Sequence, residues 1–434
     1  MASAQPEFLA ARRERAAELA RTLELPQFKG KPGWEFTDIS GLDLSTYGAV
    51  NGGSTAGGPV ALPFAVRPAD TARWLEHRDG LEGPPHGQGL PEGVVVMSLT
   101  EAAQTHPELV EKHLGSLVEP DDLLTARNEA TLTEGAFVYV PKGAVVEDPI
   151  VLTAIQASDK TELARRTLIV LEEGAQAEVW EQFASGAPEL DGLFNVVTEL
   201  VVQDNARLRY VCGQSLSERS WIFGAQRAEV GRDASLDWVA LGFGSARGRV
   251  RMDTRLSGEG AEARVTGAYA TRGRQHIDFD TTQEHAAPNT TSDLAFRGVL
   301  QDRSTAVWKG NIIVDPGAQK TDAFQESRNL LISRRAHADA IPGLEIQAND
   351  VRCTHAAAVA QVDPDQLFYL RSRGLREEVA KRLVIEGFLA ALVERFEVGP
   401  VRDTLAQSLE ERLATILGYK IDRDSDLDRG SGAE

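Results

Sequence analysis

Along the middle of the chain apolar and polar residues alternate with period two, and the alternation restarts about every thirty residues. Each unit is a strand-like run ending in a Gly, Asp or Asn turn, followed by a second run that opens with Ala. The copies are Leu168 to Ala175, Glu199 to Ala206, Arg227 to Ala234 and Asp253 to Ala261. The opening alanines, at 175, 206, 234 and 261, are 31, 28 and 27 residues apart. Positions 0, +2 and +4 from each are apolar: Ala175, Ala177 and Val179; Ala206, Leu208 and Tyr210; Ala234, Leu236 and Trp238; Ala261, Ala263 and Val265. Residues of one parity share a face of a strand, so this predicts four strands turned inward in the same sense. Gly143-Ala144 and Gly317-Ala318 extend the array, although Asp148, Lys320 and Asp322 interrupt the alternation. No helical period is sustained between 133 and 350. A repeat of this length predicts a mostly β solenoid, as a β-helix or as stacked hairpins, and spacing leaves the two open.

The flanks carry a different period. Leu9, Ala16, Leu19, Ala20 and Leu23 predict an amphipathic helix from Pro6 to Leu25, closed by Pro26. The Gly-rich stretch Asn51 to Gly58 predicts a flexible loop. Helical patches are expected around Thr71 to His77 and Leu99 to Leu114, on either side of a buried strand at Gly93 to Met97. Residues 1–130 thus form a mixed α/β N-terminal region, 131–360 the β core and 361–420 a helical unit, with a polar tail at 421–434 expected to be disordered. In the helical unit, Asp363-Pro364 opens a helix that stops at Gly374. A second helix, Arg376 to Phe396, carries the stripe Val379, Leu383, Val384, Phe388, Leu392 and Phe396, and a third spans Val401 to Leu417. Such a stripe is ordinarily core, though at the end of a solenoid it also suits docking.

Composition narrows the functional classes. With 42% apolar and 26% charged residues the chain is globular in character, and its net charge of −19 disfavours nucleic acid as a partner. Cys212 and Cys353 are the only cysteines, 141 residues apart, which argues against a disulfide framework and a self-contained zinc site. No apolar run approaches the ~20 residues of a membrane span. The N-terminus mixes Arg12, Arg13 and Arg15 with Glu7, Glu14 and Glu18, unlike a targeting peptide, so a cytoplasmic protein is expected. The sequence has no GxxxxGK[ST], GxSxG, HExxH or strand-linked GxGxxG.

The remaining chemistry lies in a few side chains. In a strand, Cys353 and His355 share a face, and a thiol beside an imidazole suits a soft or borderline metal. Packing of Cys353 and solvation of His355 is the blander reading, and two ligands do not complete a metal site. In His276-Ile277-Asp278-Phe279-Asp280 the polar residues are expected on a solvated outer face. Glu284-His285 and His337 fall near turns, and Cys212, with the parity of Tyr210, is expected to pack in the core.

The segment Pro342 to Gly374, with Cys353-Thr354-His355-Ala356-Ala357-Ala358 at its centre, resembles the C-terminal signature of the SufB/SufD family of iron–sulfur cluster assembly proteins. Phe137 to Gly143, Gly317 to Gln325 and Asn329 to Ser333 agree, so the resemblance runs from about 130 to 396. The Cys-Thr-His segment and Trp34-Glu35-Phe36-Thr37-Asp38 are similar to the SufD branch, with Ala356 and Ala358 where Gly and Thr are usual. The resemblance implies a right-handed parallel β-helix with helical termini and a non-catalytic scaffold role. It also implies pairing with a SufB-like paralogue and binding of a SufC-like ABC-type ATPase through the helical unit, at Leu367, Phe368, Val379, Leu383, Phe388 and Leu392. At the paralogue interface, His355, with Cys353 beside it, is implied to hold iron or a nascent iron–sulfur cluster, transiently and shared with the partner chain. A β-helix enzyme acting on polysaccharides, and a homodimeric scaffold acting without SufB, are the alternatives.

Overall fold

The structure is a computed structural model that describes residues 6–27, 33–50, 60–84 and 86–420. The expected loop at Asn51 to Gly58 and the tail at 421–434 lie outside the described residues. Two ten-stranded sheets face each other. The first runs from Val95–Ser98 and Glu134–Val140 to His337–Ile346, and the second from Leu81–Glu82 and Arg73–Arg78 to Arg352–Gln361. The chain alternates between them, and each strand from Glu134 onward pairs in parallel with the strand one coil later. Antiparallel pairing is confined to the start, where Val95–Ser98 meets Glu134–Val140 and Arg73–Arg78 meets Leu81–Glu82. Parallel ladders require a crossover rather than a hairpin, so the repeat forms a β-solenoid of about 8 turns and not stacked hairpins.

The twelve predicted inward residues all lie in one buried cluster between the sheets. Register stacks them in rows through the lumen, of which one is Val179, Tyr210, Trp238, Val265 and Leu294. The recurring Gly/Asn/Asp-Ala step is the corner from first to second sheet. Gly174, Asn205, Asp233 and Gly260 have φ of 71°, 60°, 54° and 72°, the left-handed region that Gly, Asn and Asp enter at least cost. Lys320 occupies this corner (φ 60°), which is why it breaks the alternation: it belongs to a turn and not to a strand.

The patch Thr71 to His77 is a strand, Arg73–Arg78, and not a helix. Leu75 points into the lumen and Trp74 packs outside, so both faces are buried and adjacent apolar residues imitate helical spacing. Helices α1 (Glu7–Thr22), α2 (Leu99–Thr105), α3 (Pro107–His113) and α4 (Leu123–Thr131) cover the first coils. After the last strand come α5 (Pro364–Ser372), α6 (Glu377–Val393) and α7 (Pro400–Leu417). Ile385, Leu389, Leu392 and Phe396, with Leu405, Leu409 and Leu413 of α7, pack on the outer face of the second sheet against Val211, Val239 and Ala268.

Candidate functional site at the open end of the solenoid

The last coil consists of His337–Ile346 in one sheet and Arg352–Gln361 in the other, and among the described residues no further strand pairs with either. The row through Val179, Tyr210 and Trp238 ends in Gln325 and then His355, and the row Ala263, Ser292, Ala323 ends in Cys353. Both candidate ligands therefore follow the lumen-facing parity onto the solenoid's end, where nothing is stacked above them. Cys353 is half-buried beside Ala323, Ala348 and Ile312. Burial, with Asp322 adding to it, raises its thiol pKa, so the neutral thiol prevails until an electropositive group or metal displaces the proton. His355 is exposed and stacked on Gln325, whose amide donates to the Gly343 carbonyl at 3.0 Å. Glu345 accepts from the Asn311 side chain at 2.7 Å and Asp350 donates its backbone N–H to Gln319 at 2.8 Å. Neither carboxylate bonds the imidazole, and among the described residues no other group does. Among the described residues no group of three or more His, Cys, Asp or Glu is placed to hold a metal ion, so a site built on this pair needs donors beyond them.

The other candidates have structural partners. His276, Asp278 and Asp280 do face outward, but they are not on a solvated face: Gly33 to Ile39 lies across them. Thr37 Oγ1 donates to Asp278 and lies 3.2 Å from His276 Nε2, whose Nδ1 meets Thr305 Oγ1 at 2.7 Å. Arg249 donates to Asp278 at 2.6 Å and to Asp280, with its guanidinium 5.1 Å from the Trp34 ring centroid. The triplet clamps the Trp34 to Asp38 motif, a role that spacing alone does not disclose because the two segments are over 200 residues apart. Glu284 pairs with Arg255 and Arg227 outside, while His285 is buried between Thr290 and Ser292 inside. His337 is exposed and 3.1 Å from Asp339.

Cys212 is buried in the lumen. It sits in register between Glu181 and Ala240, beside a buried network in which Arg165 donates to Glu134 and Glu181 at 2.8 Å each. Desolvation, with Glu181 second, pushes its thiol up to about 12, which suits packing rather than nucleophilic work.

The six helical residues separate into two groups. Leu392 (3% exposed) is core, so it is closed to a partner, and Phe388 is half-buried beneath Arg297, 5.1 Å from its ring centroid. Leu383 and Phe368 are exposed, the latter at 73%, while Leu367 and Val379 are half-buried beside them. No residue of α5 is buried, and Tyr369, which sequence reasoning passed over, adds a further exposed aromatic ring. No helix among the described residues is long and apolar enough to cross a membrane.

Fold and site define a β-solenoid protein, with helices packed on the outer face of its first coils, whose last coil presents its sheet edges and two side chains of metal-ligating type. Residues 153–388 match the model of the SUF system FeS cluster assembly SufBD core domain, and 81–152 that of the SufBD protein N-terminal region. Over 326 residues the chain is 35% identical to the iron–sulfur cluster assembly protein SufD of Bacillus subtilis, covering 74% of each chain. It is 26% identical over 417 residues to an iron–sulfur cluster assembly SufBD family protein of Synechocystis, covering 92% of this chain and 90% of that one. SufB of B. subtilis matches at 27% over 300 residues, 69% of this chain and 64% of the relative. The chain belongs to the SufBD family of iron–sulfur cluster assembly proteins.

Proposed function

We propose that the chain is a SufD-like scaffold subunit of a cytoplasmic cluster assembly complex, itself without catalytic activity. In this reading the open coil pairs with a SufB-like paralogue, and the exposed face of α5 and α6 binds a SufC-like ATPase. Iron or the nascent cluster is cargo at the paralogue interface. The observation that carries the reading is the last coil: lumen-facing rows deliver His355 and Cys353 to an end where two strand edges are unpaired. Unpaired edges accept strands from another chain, and a half-complete ligand set accepts its remaining donors from the same source. A homodimer would satisfy the edges equally. The polysaccharide-enzyme alternative finds no support in the family relation.

Co-expression with SufB-like and SufC-like subunits, followed by iron and acid-labile sulfide determination on the purified complex, tests the proposal. His355→Ala should leave the complex intact by size exclusion while cluster content falls at least about tenfold, the scale of losing one ligand interaction. His355→Cys should restore part of it. Normal cluster content in His355→Ala removes the ligand role, and absence of a complex with the unaltered chain removes the pairing.

A further inference from the structure

The two corners of the solenoid differ in charge. Turns from first to second sheet carry Glu172, Glu173, Asp204, Asp233, Glu259 and Asp315; of the basic residues among them Lys142 pairs with Glu173 and Arg232 with Asp204, while Lys320 forms no ion pair among the described residues. The opposite corner begins balanced: Lys160 meets Asp191, Arg219 meets Glu189 at 3.8 Å and Arg272 meets Glu218 at 2.7 Å. In its last three turns, 272–275, 301–304 and 332–336, the balance fails. Arg274, Arg303, Arg334 and Arg335 are exposed and form no ion pair among the described residues. The one acid of these turns, Asp302, accepts the Gly273 N–H at 2.9 Å. The turns are stacked directly, since Arg303 N–H donates to Gly273 O at 3.0 Å and His337 N–H to Ser304 O at 3.1 Å. Successive arginines therefore rise by about 4.8 Å per coil, the spacing between neighbouring strands.

We propose that this corner is a docking surface for an acidic protein. Four guanidinium groups on a rigid ridge offer bidentate sites for carboxylates that no side chain of the described structure uses. A long polyanion such as nucleic acid would meet the repulsion of the remaining surface at net charge −19, whereas a compact acidic patch meets only the ridge. The ridge borders the open coil: from Gln325, which carries His355, to Leu331 at the start of the last turn is six residues, roughly 20 Å of strand. A small protein seated on the ridge spans that distance. The association is of the steered, salt-sensitive kind suited to transient exchange, and it does not depend on what His355 binds.

The test uses the full chain and a fluorescein-labelled dodecapeptide of Glu and Asp, followed by anisotropy at low and raised salt. Arg274→Glu/Arg303→Glu/Arg334→Glu/Arg335→Glu should weaken binding at least tenfold, the matching four Lys replacements should keep it within about threefold, and raised salt should weaken it severalfold. Absence of binding, or equal binding by the Glu variant, overturns the proposal, as does tighter binding of a labelled single-stranded DNA twelve-mer. The sequence after Lys420 carries Asp422, Asp424, Asp426 and Asp428. If changing these four to Asn tightens peptide binding tenfold, the ridge serves the chain itself and the partner proposal also falls.

Discussion

The two ends of the solenoid solve opposite problems with different side chains. At the first end Arg166, outward on its strand, donates to Glu129 at 3.1 Å, Glu199 at 3.1 Å and the Val118 carbonyl at 2.8 Å. Glu199 in turn accepts the backbone N–H groups of Gly115, Leu117 and Val118. Arg13 of α1 donates to the α4 carbonyls of Ala130 and Thr131. One residue away, Arg165 turns into the lumen and holds Glu134 and Glu181. Removing one partner of a pair this deeply buried leaves an uncompensated charge, so these pairs hold α1, α4 and residues 115–118 against the first sheet. The last coil has instead Ala356, Ala357, Ala358 and Ala360 along its final strand, flanked by exposed Ile346 and Val359. Side chains that end at Cβ leave an edge flat enough for another backbone to approach, which suits a surface covered by exchangeable partners.

The contrast can be broken first at the early coils. Arg166→Ala leaves Glu199 buried without its cation and Glu129 with Arg12 alone, and should lower the unfolding free energy by about 3–5 kcal/mol, measured by denaturant titration; a loss below about 1 kcal/mol would mean the helices there are held by packing alone. Along the outer face, Leu392→Ala should cost about 2–5 kcal/mol. Leu383→Asp, which reaches solvent, should change stability by no more than about 0.5 kcal/mol while weakening SufC-like ATPase capture on immobilised chain. Point variants serve better here than deleting 363–434, because deletion would bare the sheet face that α6 and α7 cover. Acid should loosen the buried histidines. Desolvation lowers His276 and His285 to about 4, with Arg247 adding at His276. The unfolded chain, with pKa near 6.5, therefore binds protons that the folded chain refuses, and stability falls as pH drops from about 6.5 to 4. His276→Asn should flatten that slope by about one proton; an unchanged slope removes His276 from the account. Smallest is the contrast between the thiols. Cys212→Ala should cost about 1 kcal/mol with assembly retained, and iodoacetamide should label Cys353 of the native chain well before Cys212.

The lumen was legible because it repeats. One parity, copied at Ala175, Ala206, Ala234 and Ala261, placed inward the twelve residues it named, and the corner residues explained their own punctuation once the left-handed φ was seen. Sequence left β-helix and stacked hairpins open because strand direction within a sheet leaves no local mark. Cys353 and His355 were legible as a pair through period two, but not as the ends of separate rows, since register depends on turn lengths that vary from coil to coil. The clamp of Thr37 on His276 and Asp278 was hidden for a different reason: contacts over such separations follow from the path of the whole chain. Trp74 and Leu75 misled because a strand buried on both faces has no alternation to read.

The open coil also bears on the size of an assembly. In the language of polymer chemistry, a solenoid with long bare edges at both ends is a bifunctional monomer and grows into fibres, whereas this one offers ten-residue edges at its last coil and only the two-residue Leu81–Glu82 and four-residue Val95–Ser98 strands at its first, which brings it close to a monofunctional one. Association through the Arg352–Gln361 edge would consume the long-edged end of each participant, so growth by that route would terminate at a pair whichever chain supplied the second half.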